Sequence, residues 1–378
     1  MFTDSLVVSI LPGKGVAVRG ARKRAIGIRH LRNAGSAKGK SGLGVIQAYR
    51  LRWIRKRWRV RAFRKRREMT PVSNRTGDIN PGDVLVMTTL RNERIRLDYF
   101  LDYYRRLGVD HFIIVDNGSD DGSAEFLAEQ EDVSLWTTKA SYKRARFGVD
   151  WLNWLARKYA HDHWVLTVDP DEFFLYPFSD TRSIKALTDW LDTTGVRSFG
   201  AMLLDMYPRG AFSAQPYREG QDPFEIACWF DSGNYVIQKN TQYRNLWIQG
   251  GPRMRAFFRD DPKRAPALNK IPLVKWSRRY TYESSTHTLL PRGLNLVYDE
   301  WGGEKTSGVL LHAKFLDTFS AKAAEEVERR QHYAGGCEYE AYHTKAEDEP
   351  DLWCKWSEKY INWRQLEILG LMSKGNWA

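Results

Sequence analysis

Three carboxylates fall within four residues in "VDPDEFF" (168–174): Asp169, Asp171 and Glu172 follow the apolar run "WVLTV" and give way at once to Phe173 and Phe174. Like charges beside a core are costly unless something compensates them. Carboxylates at i and i+2 of an extended segment project to one side, so Asp169 and Asp171 can converge on one hard divalent cation, Mg²⁺ or Mn²⁺, which in turn can hold a diphosphate. An acidic surface turn is the ordinary alternative, and the apolar flanks count against it. Late in the chain "GVLLHAKF" (308–315) interrupts a strand-like run with His312 and Lys314. Alternation puts both on one face, where an imidazole completes a metal shell and an ammonium meets phosphate charge. A lone strand histidine is more often structural, but two polar side chains on one face of an apolar strand need partners.

Two further clusters stand beside strand ends. "LRNE" (90–93) reads as a loop with Asn92 as helix N-cap and Glu93 at the positive end of the helix dipole, or as polar groups aimed at a ligand. "VDNGSDDGS" (115–123) is a glycine-bearing turn into a helix. Its strand-terminal Asp116 argues against close phosphate approach and suits a hydrogen bond to a base or ribose, while the plain alternative is an Asx turn with an N-cap at Ser119, Asp120 or Ser123. Neither the dinucleotide nor the Walker glycine pattern is present.

The elements that must position these residues alternate from Val84 onward. "VLVMTTL" (84–90), "HFIIVD" (111–116), "VSLWT" (133–137) and "WVLTV" (164–168) are strands, and between them Leu97, Phe100, Leu101 and Tyr104, then Leu152, Leu155, Ala156 and Tyr159, mark helix faces. The fold class expected is α/β, a mostly parallel mixed sheet flanked by helices, with ligands at the carboxyl ends of the strands. The domain layout expected is a basic arm and linker over 1–75, a catalytic domain over 80–335, and a C-terminal helical extension over 336–378.

The net charge of +13 is unevenly spread. Residues 1–75 carry 21 Lys and Arg against Asp4 and Glu68, which leaves 38 basic and 44 acidic residues in a mildly acidic body. Residues 11–44 read as disordered. Residues 45–68, "VIQAYRLRWIRKRWRVRAFRKRRE", mix Trp53, Ile54, Trp58 and Phe63 with arginines and suit a cationic helix on an anionic membrane surface. Nucleic acid is the lesser alternative, and a solvated tail with no partner the ordinary one. Three scattered cysteines, Cys228, Cys337 and Cys354, make no disulfide framework. With no membrane span and no secretory leader in the pattern, a cytoplasmic chain is expected, peripheral to the inner membrane face if the arm binds lipid.

Taken as an ordered set, "LRNE", "IVDNGSDDGS", "VDPDEFF" and "LLHAKF" resemble the glycosyltransferase family 2-like proteins of GT-A fold, in particular the bacterial branch related to the glycosyltransferase 92 group. The resemblance spans about residues 84–335 and extends to "GGPRMRAFF" (250–258), "LNKIPLVKW" (268–276), "STHTLLP" (285–291) and "EEVERRQHY" (325–333). It implies a nucleotide-diphospho-sugar transferase using Mn²⁺ or Mg²⁺. Asp116 would contact the base, Arg91 and Glu93 would line the nucleotide pocket, and Asp169 and Asp171 would form the DxD pair. Asp171 is then the direct metal ligand, with Asp169 near the ribose or a metal-bound water. His312 would close on metal and diphosphate beside Lys314. "DNGS" departs from the commoner "DDGS", so contacts to the base would differ. No base motif stands out; Asp231 in "WFDSGNY" and Glu300 in "YDEW" are the candidates.

The expected reaction is transfer of a sugar from a nucleotide-sugar donor to the hydroxyl of a glycan or lipid-linked acceptor, with inversion, in surface polysaccharide or glycoconjugate synthesis. Two rivals are a sugar-phosphate nucleotidyltransferase, which the missing basic glycine-rich loop disfavours, and an inactive enzyme-like body that binds membrane or nucleic acid.

Overall fold

The computed structural model describes residues 41–298, 305–329 and 350–377. In chain order the helices are α1 (Ser41–Lys65), α2 (Arg94–Leu107), α3 (Ser123–Glu129), α4 (Val149–Tyr159), α5 (Ile184–Thr193), α6 (Thr318–Arg329) and α7 (Trp363–Ile368). Nine strands build the main sheet: β1 (Thr70–Ser73), β2 (Val84–Leu90), β3 (His111–Asp116), β4 (Val133–Thr137), β5 (Trp164–Thr167), β6 (Glu172–Leu175), β7 (Ser198–Asp205), β11 (Asn269–Lys275) and β14 (Gly308–His312). Three two-stranded sheets pair β8 (Trp229–Asp231) with β15 (Ser357–Lys359), β9 (Tyr235–Asn240) with β10 (Asn245–Gly250), and β12 (Thr281–Ser284) with β13 (Thr288–Leu290).

The main sheet runs β1-β4-β3-β2-β5-β11-β7-β14-β6. The ladders give β2, β3, β4, β5, β7 and β14 one common direction, and β1, β6 and β11 the opposite one. The sheet is therefore mixed, mostly parallel and flanked by helices. Its central strands are buried on both faces, as their unbroken apolar runs require. Val84, Val86, Phe112 and Ile114 face α2, α3 and α5, and their neighbours Leu85, Met87, Ile113 and Val115 face α4. Leu97, Phe100, Leu101 and Tyr104 of α2 are fully buried, and Leu155 and Ala156 of α4 nearly so.

The four expected strands lie where periodicity put them. The helix caps differ. Asn92 is not a cap: its Oδ1 accepts from Asp120 N at 3.0 Å. Helix α3 starts after Gly122, and Asp121 serves the turn, accepting from Ser123 N (3.0 Å) and Arg94 N (2.9 Å).

The arm helix expected over 45–68 is present as α1, and both it and the tail pack on the body. Helix α1 packs on α4 and β12: Arg61 pairs with Asp150 at 2.7 Å, Arg146 lies over the Trp58 ring at 4.0 Å, and Phe63 meets Trp154 edge-on at 5.5 Å. The described part of the expected helical extension holds one short helix and one strand, and it is sewn into the body. Trp363, Leu366 and Trp377 join the main core, and Ser307 bridges to Ser373. No described helix is long and apolar enough to cross a membrane. Cys228 and Cys354 are free thiols, and Cys337 lies outside the described residues.

Candidate functional site

Because β2, β3, β5, β7 and β14 share a direction, the chain leaves the sheet at one edge after Leu90, Asp116, Thr167, Asp205 and His312. The residues just beyond those ends line a cleft of about 930 Å³, closed on its far side by segments around Trp247, Arg253, Lys263 and Glu283. Nine Lys or Arg and six Asp or Glu line it, a surplus of positive charge in a body whose sequence is mildly acidic. Such a cavity concentrates anionic ligands.

One chain of ionisable groups crosses its floor. In register, His312 on β14 lies beside Asp205 of β7 on one side and Glu172 of β6 on the other. Its Nδ1 stands 2.7 Å from Asp205 Oδ1 and its Nε2 3.2 Å from Asp171 Oδ2. Arg253 Nε donates to the second oxygen of Asp205 at 2.7 Å. Burial alone would favour neutral imidazole, but Asp171 and Asp205 together raise the His312 pKa. Burial likewise opposes the charge on Asp171, and His312, helped by Arg96 and Lys314, holds it well below the usual carboxylate range. The backbone is tied down beside it: Ala313 N donates to Asp171 O at 2.8 Å, and Arg96 Nη1 donates to Ala313 O at 2.8 Å.

A second group sits one residue away. Lys270 of β11 places its Nζ 2.6 Å from Glu172 Oε1 and 3.4 Å from Asp169 Oδ2. Lys270 and Glu172 are both buried, whereas the Asp169 side chain is 54% exposed in the cleft. Burial and then the Asp169 carboxylate push Glu172 upward against the pull of Lys270. Residues 169–172 are thus not an extended strand. They form a turn closed by Glu172 N donating to Asp169 O at 3.0 Å, which sends Asp169 toward Lys270 and Asp171 toward His312. The i, i+2 rule fails here because it assumes strand geometry.

The other anticipated residues divide. Glu93 lines the cleft and pairs with Lys322 of α6 and with Arg96 at 3.3 Å. Arg91 lines it too, donating to Asn117 O at 3.0 Å and Glu325 Oε1 at 3.1 Å, and Lys314 projects into it past the end of β14. Asp116 does not line the cleft. Its carboxylate accepts from Gly118 N (3.0 Å) and Ser119 N (3.1 Å) and closes its own Asx turn, leaving Asn117 at the cleft wall. Asp231 also lies outside the cleft lining: it is 1% exposed, bound by Arg255 Nε at 2.8 Å and by the Tyr207 hydroxyl. Glu300 falls outside the described residues.

The cleft residues with no role assigned from sequence include Arg96, Arg253, Lys270 and His287. The last three lie inside "GGPRMRAFF", "LNKIPLVKW" and "STHTLLP", stretches that resembled the family without naming a function. His287 is partly buried, with Nδ1 2.5 Å from Asn269 O, and desolvation with nearby Lys270 depresses its pKa to about 3. The folded chain therefore binds this proton more weakly than the unfolded chain. Stability is lost as pH falls below the unfolded histidine value of about 6.5, by up to about 1.4 kcal/mol per pH unit, until the folded value is passed. Urea unfolding at stepped pH should show a shallower acid loss in His287→Gln than in the natural chain, and parallel curves would remove His287 from this account.

Among the described residues no group of three or more His, Cys, Asp or Glu is arranged to hold a metal ion on its own. A carboxylate and an imidazole nitrogen in contact are nonetheless a donor set that Mg²⁺ or Mn²⁺ accepts when phosphate oxygens and water supply the rest.

No known protein family matches the chain, and no curated protein does. Among solved structures it is similar to a protein of Bacillus anthracis described as a glucose-1-phosphate thymidylyltransferase in complex with a sucrose, at 8% identity over 76% of this chain and 95% of that one, with a TM-score of 0.24. A likeness of that depth bears no weight for fold or activity.

Proposed function

We propose that the cleft transfers a sugar from a nucleotide-sugar to an acceptor hydroxyl, and that the fold is of the GT-A type. The observation that carries this reading is the acidic turn at the end of β5 converging with His312 of β14 and Lys314 in a cleft of positive balance. The ordered motifs of the sequence give the same answer. Asp171 and His312 would hold Mn²⁺ or Mg²⁺, which supplies charge neutralisation to a diphosphate. Lys314 and Arg253 add fixed positive charge at that end of the cleft, where a leaving nucleoside diphosphate accumulates negative charge. Asp169, exposed and oriented by Lys270, is free to accept from a ribose hydroxyl. Arg91 and Glu93 hold the turn and helix that frame the nucleotide.

Glu283 on β12 is our candidate for the base. It lines the cleft and, among the described residues, is the one cleft carboxylate with no ion pair, so its charge is not already neutralised by a cation. It would take the acceptor proton in a direct displacement, with inversion at the sugar carbon.

The test is a thermal-shift panel of nucleotide-sugars and nucleoside diphosphates, each with and without Mn²⁺. A ligand present at about 100 times its Kd stabilises by about 2.7 kcal/mol through mass action, so one nucleotide series should raise the melting temperature only with the metal. No shift with any nucleotide would sink the reading. Release of pyrophosphate from a nucleoside triphosphate and a sugar phosphate would hand the cleft to the nucleotidyltransferase reading.

A further inference from the structure

Helix α1 carries two apolar stripes on opposite sides. The inner one, Leu51, Ile54, Trp58 and Ala62 at spacings of three and four, faces α4 and β12, and Leu51 and Ala62 are buried. The outer one, Ile46, Tyr49, Trp53 and Val60, repeats at spacings of three, four and seven and faces solvent, Ile46 at 68%, Tyr49 at 58% and Trp53 at 56% exposure. Of the ten large apolar side chains exposed among the described residues, five are on this one helix. A contiguous exposed stripe of this kind marks a surface with a partner, whereas scattered exposed apolar residues do not.

The charge around the stripe narrows the partner. Arg50, Lys56, Arg57 and Arg64 share the outer side, and none of them meets a carboxylate among the described residues. Arg55 and Arg59 press toward Arg157 and Arg279 on the body, a like-charge cluster with no acidic partner there either. A second copy of the same face would repel it. An anionic surface satisfies both demands, because it neutralises the arginines and admits tryptophan and tyrosine at its interface. The aliphatic members decide between lipid and nucleic acid. Bases reward flat stacking partners, whereas Ile46 and Val60 gain only from an apolar medium, and the stripe they bound is about 21 Å long at 1.5 Å per residue.

We infer that the outer face of α1 docks the chain on an anionic lipid bilayer, with Ile46, Tyr49, Trp53 and Val60 in the interface and the flanking Lys and Arg on the headgroups. The docked face is one helix away from the cleft, since Trp58 beneath it stacks on Arg146, which lines the cleft and donates to Glu283 O at 2.9 Å.

Co-sedimentation of the full chain with vesicles tests this with no nucleotide or metal present, so its outcome is independent of the transfer reaction. Vesicles of phosphatidylcholine with phosphatidylglycerol should carry the chain down and pure phosphatidylcholine should not, and raising salt from about 0.05 to about 0.5 M should release it. Ile46→Ser with Val60→Ser should weaken binding at least about tenfold while leaving the melting temperature in place, because neither side chain packs on the body. Equal binding to neutral vesicles, or none to anionic ones, overturns the proposal. So does a double variant that binds as the natural chain does. An oligoribonucleotide bound as tightly as anionic vesicles, and equally well by the double variant, would reassign the face to nucleic acid.

Discussion

Lys270→Met lowers the stability of the folded chain by about 3–5 kcal/mol, the largest loss expected of any single cleft substitution. Methionine fills nearly the same volume, so no cavity opens. The loss comes from Glu172, whose carboxylate stays buried at 1% exposure with its cation 2.6 Å away removed. Burial already pushes that carboxyl upward, so in the variant it takes up a proton on folding and the loss shrinks as pH falls. Lys270→Met combined with Glu172→Gln removes the stranded charge and should recover most of the stability. Asp169 is half exposed and contributes little, since water screens a partner 3.4 Å from the ammonium. Urea unfolding of the two single variants and the double gives the coupling energy directly. Losses that simply add would show that Lys270 and Glu172 do not act as a pair.

Why the sequence disclosed some of this and hid the rest follows from the range of the interactions. The strands at Val84, His111, Val133 and Trp164 were legible because burial on both faces writes an unbroken apolar run into contiguous residues. Helix α2 was legible for the same reason, its period being local. The insertion of β11, antiparallel, between β5 and β7 was not. Its Leu273 pairs with Leu166 of β5 and Phe199 of β7, about 107 and 74 residues earlier in the chain, and nothing within "NKIPLVK" states which strands it joins.

The site repeats that division. Asp171 and His312 were identified from residue type and flanking apolarity, and they stand 3.2 Å apart. Asp205 and Arg253, which orient His312, sit in segments with no catalytic spelling: one ends an apolar strand and the other lies in a single helical turn. Their signal was the demand for partners, since a buried imidazole has two polar ring nitrogens and each needs a partner. Asp116 shows the opposite case. Its residue type suited a base contact, but a carboxylate followed by Asn-Gly-Ser satisfies itself on the backbone N–H groups of Gly118 and Ser119 before any ligand arrives.

The proposed transfer makes its sharpest distinction between Asp171 and Glu283. Asp171→Asn keeps the volume and leaves a side-chain oxygen facing His312, so the fold should survive with a small change in melting temperature. What is lost is an anionic donor beside an imidazole, and with it the site at which a divalent cation and a diphosphate would be held together. Mn²⁺-dependent nucleotide binding should fall below detection and transfer should drop by a factor on the order of a thousand, the scale of removing one fixed electrostatic contribution from a water-poor site. Glu283→Gln should behave differently. The group touches neither Asp171 nor His312, so donor and metal should bind as before. Transfer should nevertheless fall by about a hundred to ten thousand fold, the usual effect of deleting a general base. Donor binding by calorimetry and turnover by product formation, measured on both variants, separate the two roles. Loss of donor binding in Glu283→Gln would move that residue from the acceptor side to the nucleotide side. Undiminished turnover in Asp171→Asn would end the case for metal-assisted transfer in this cleft.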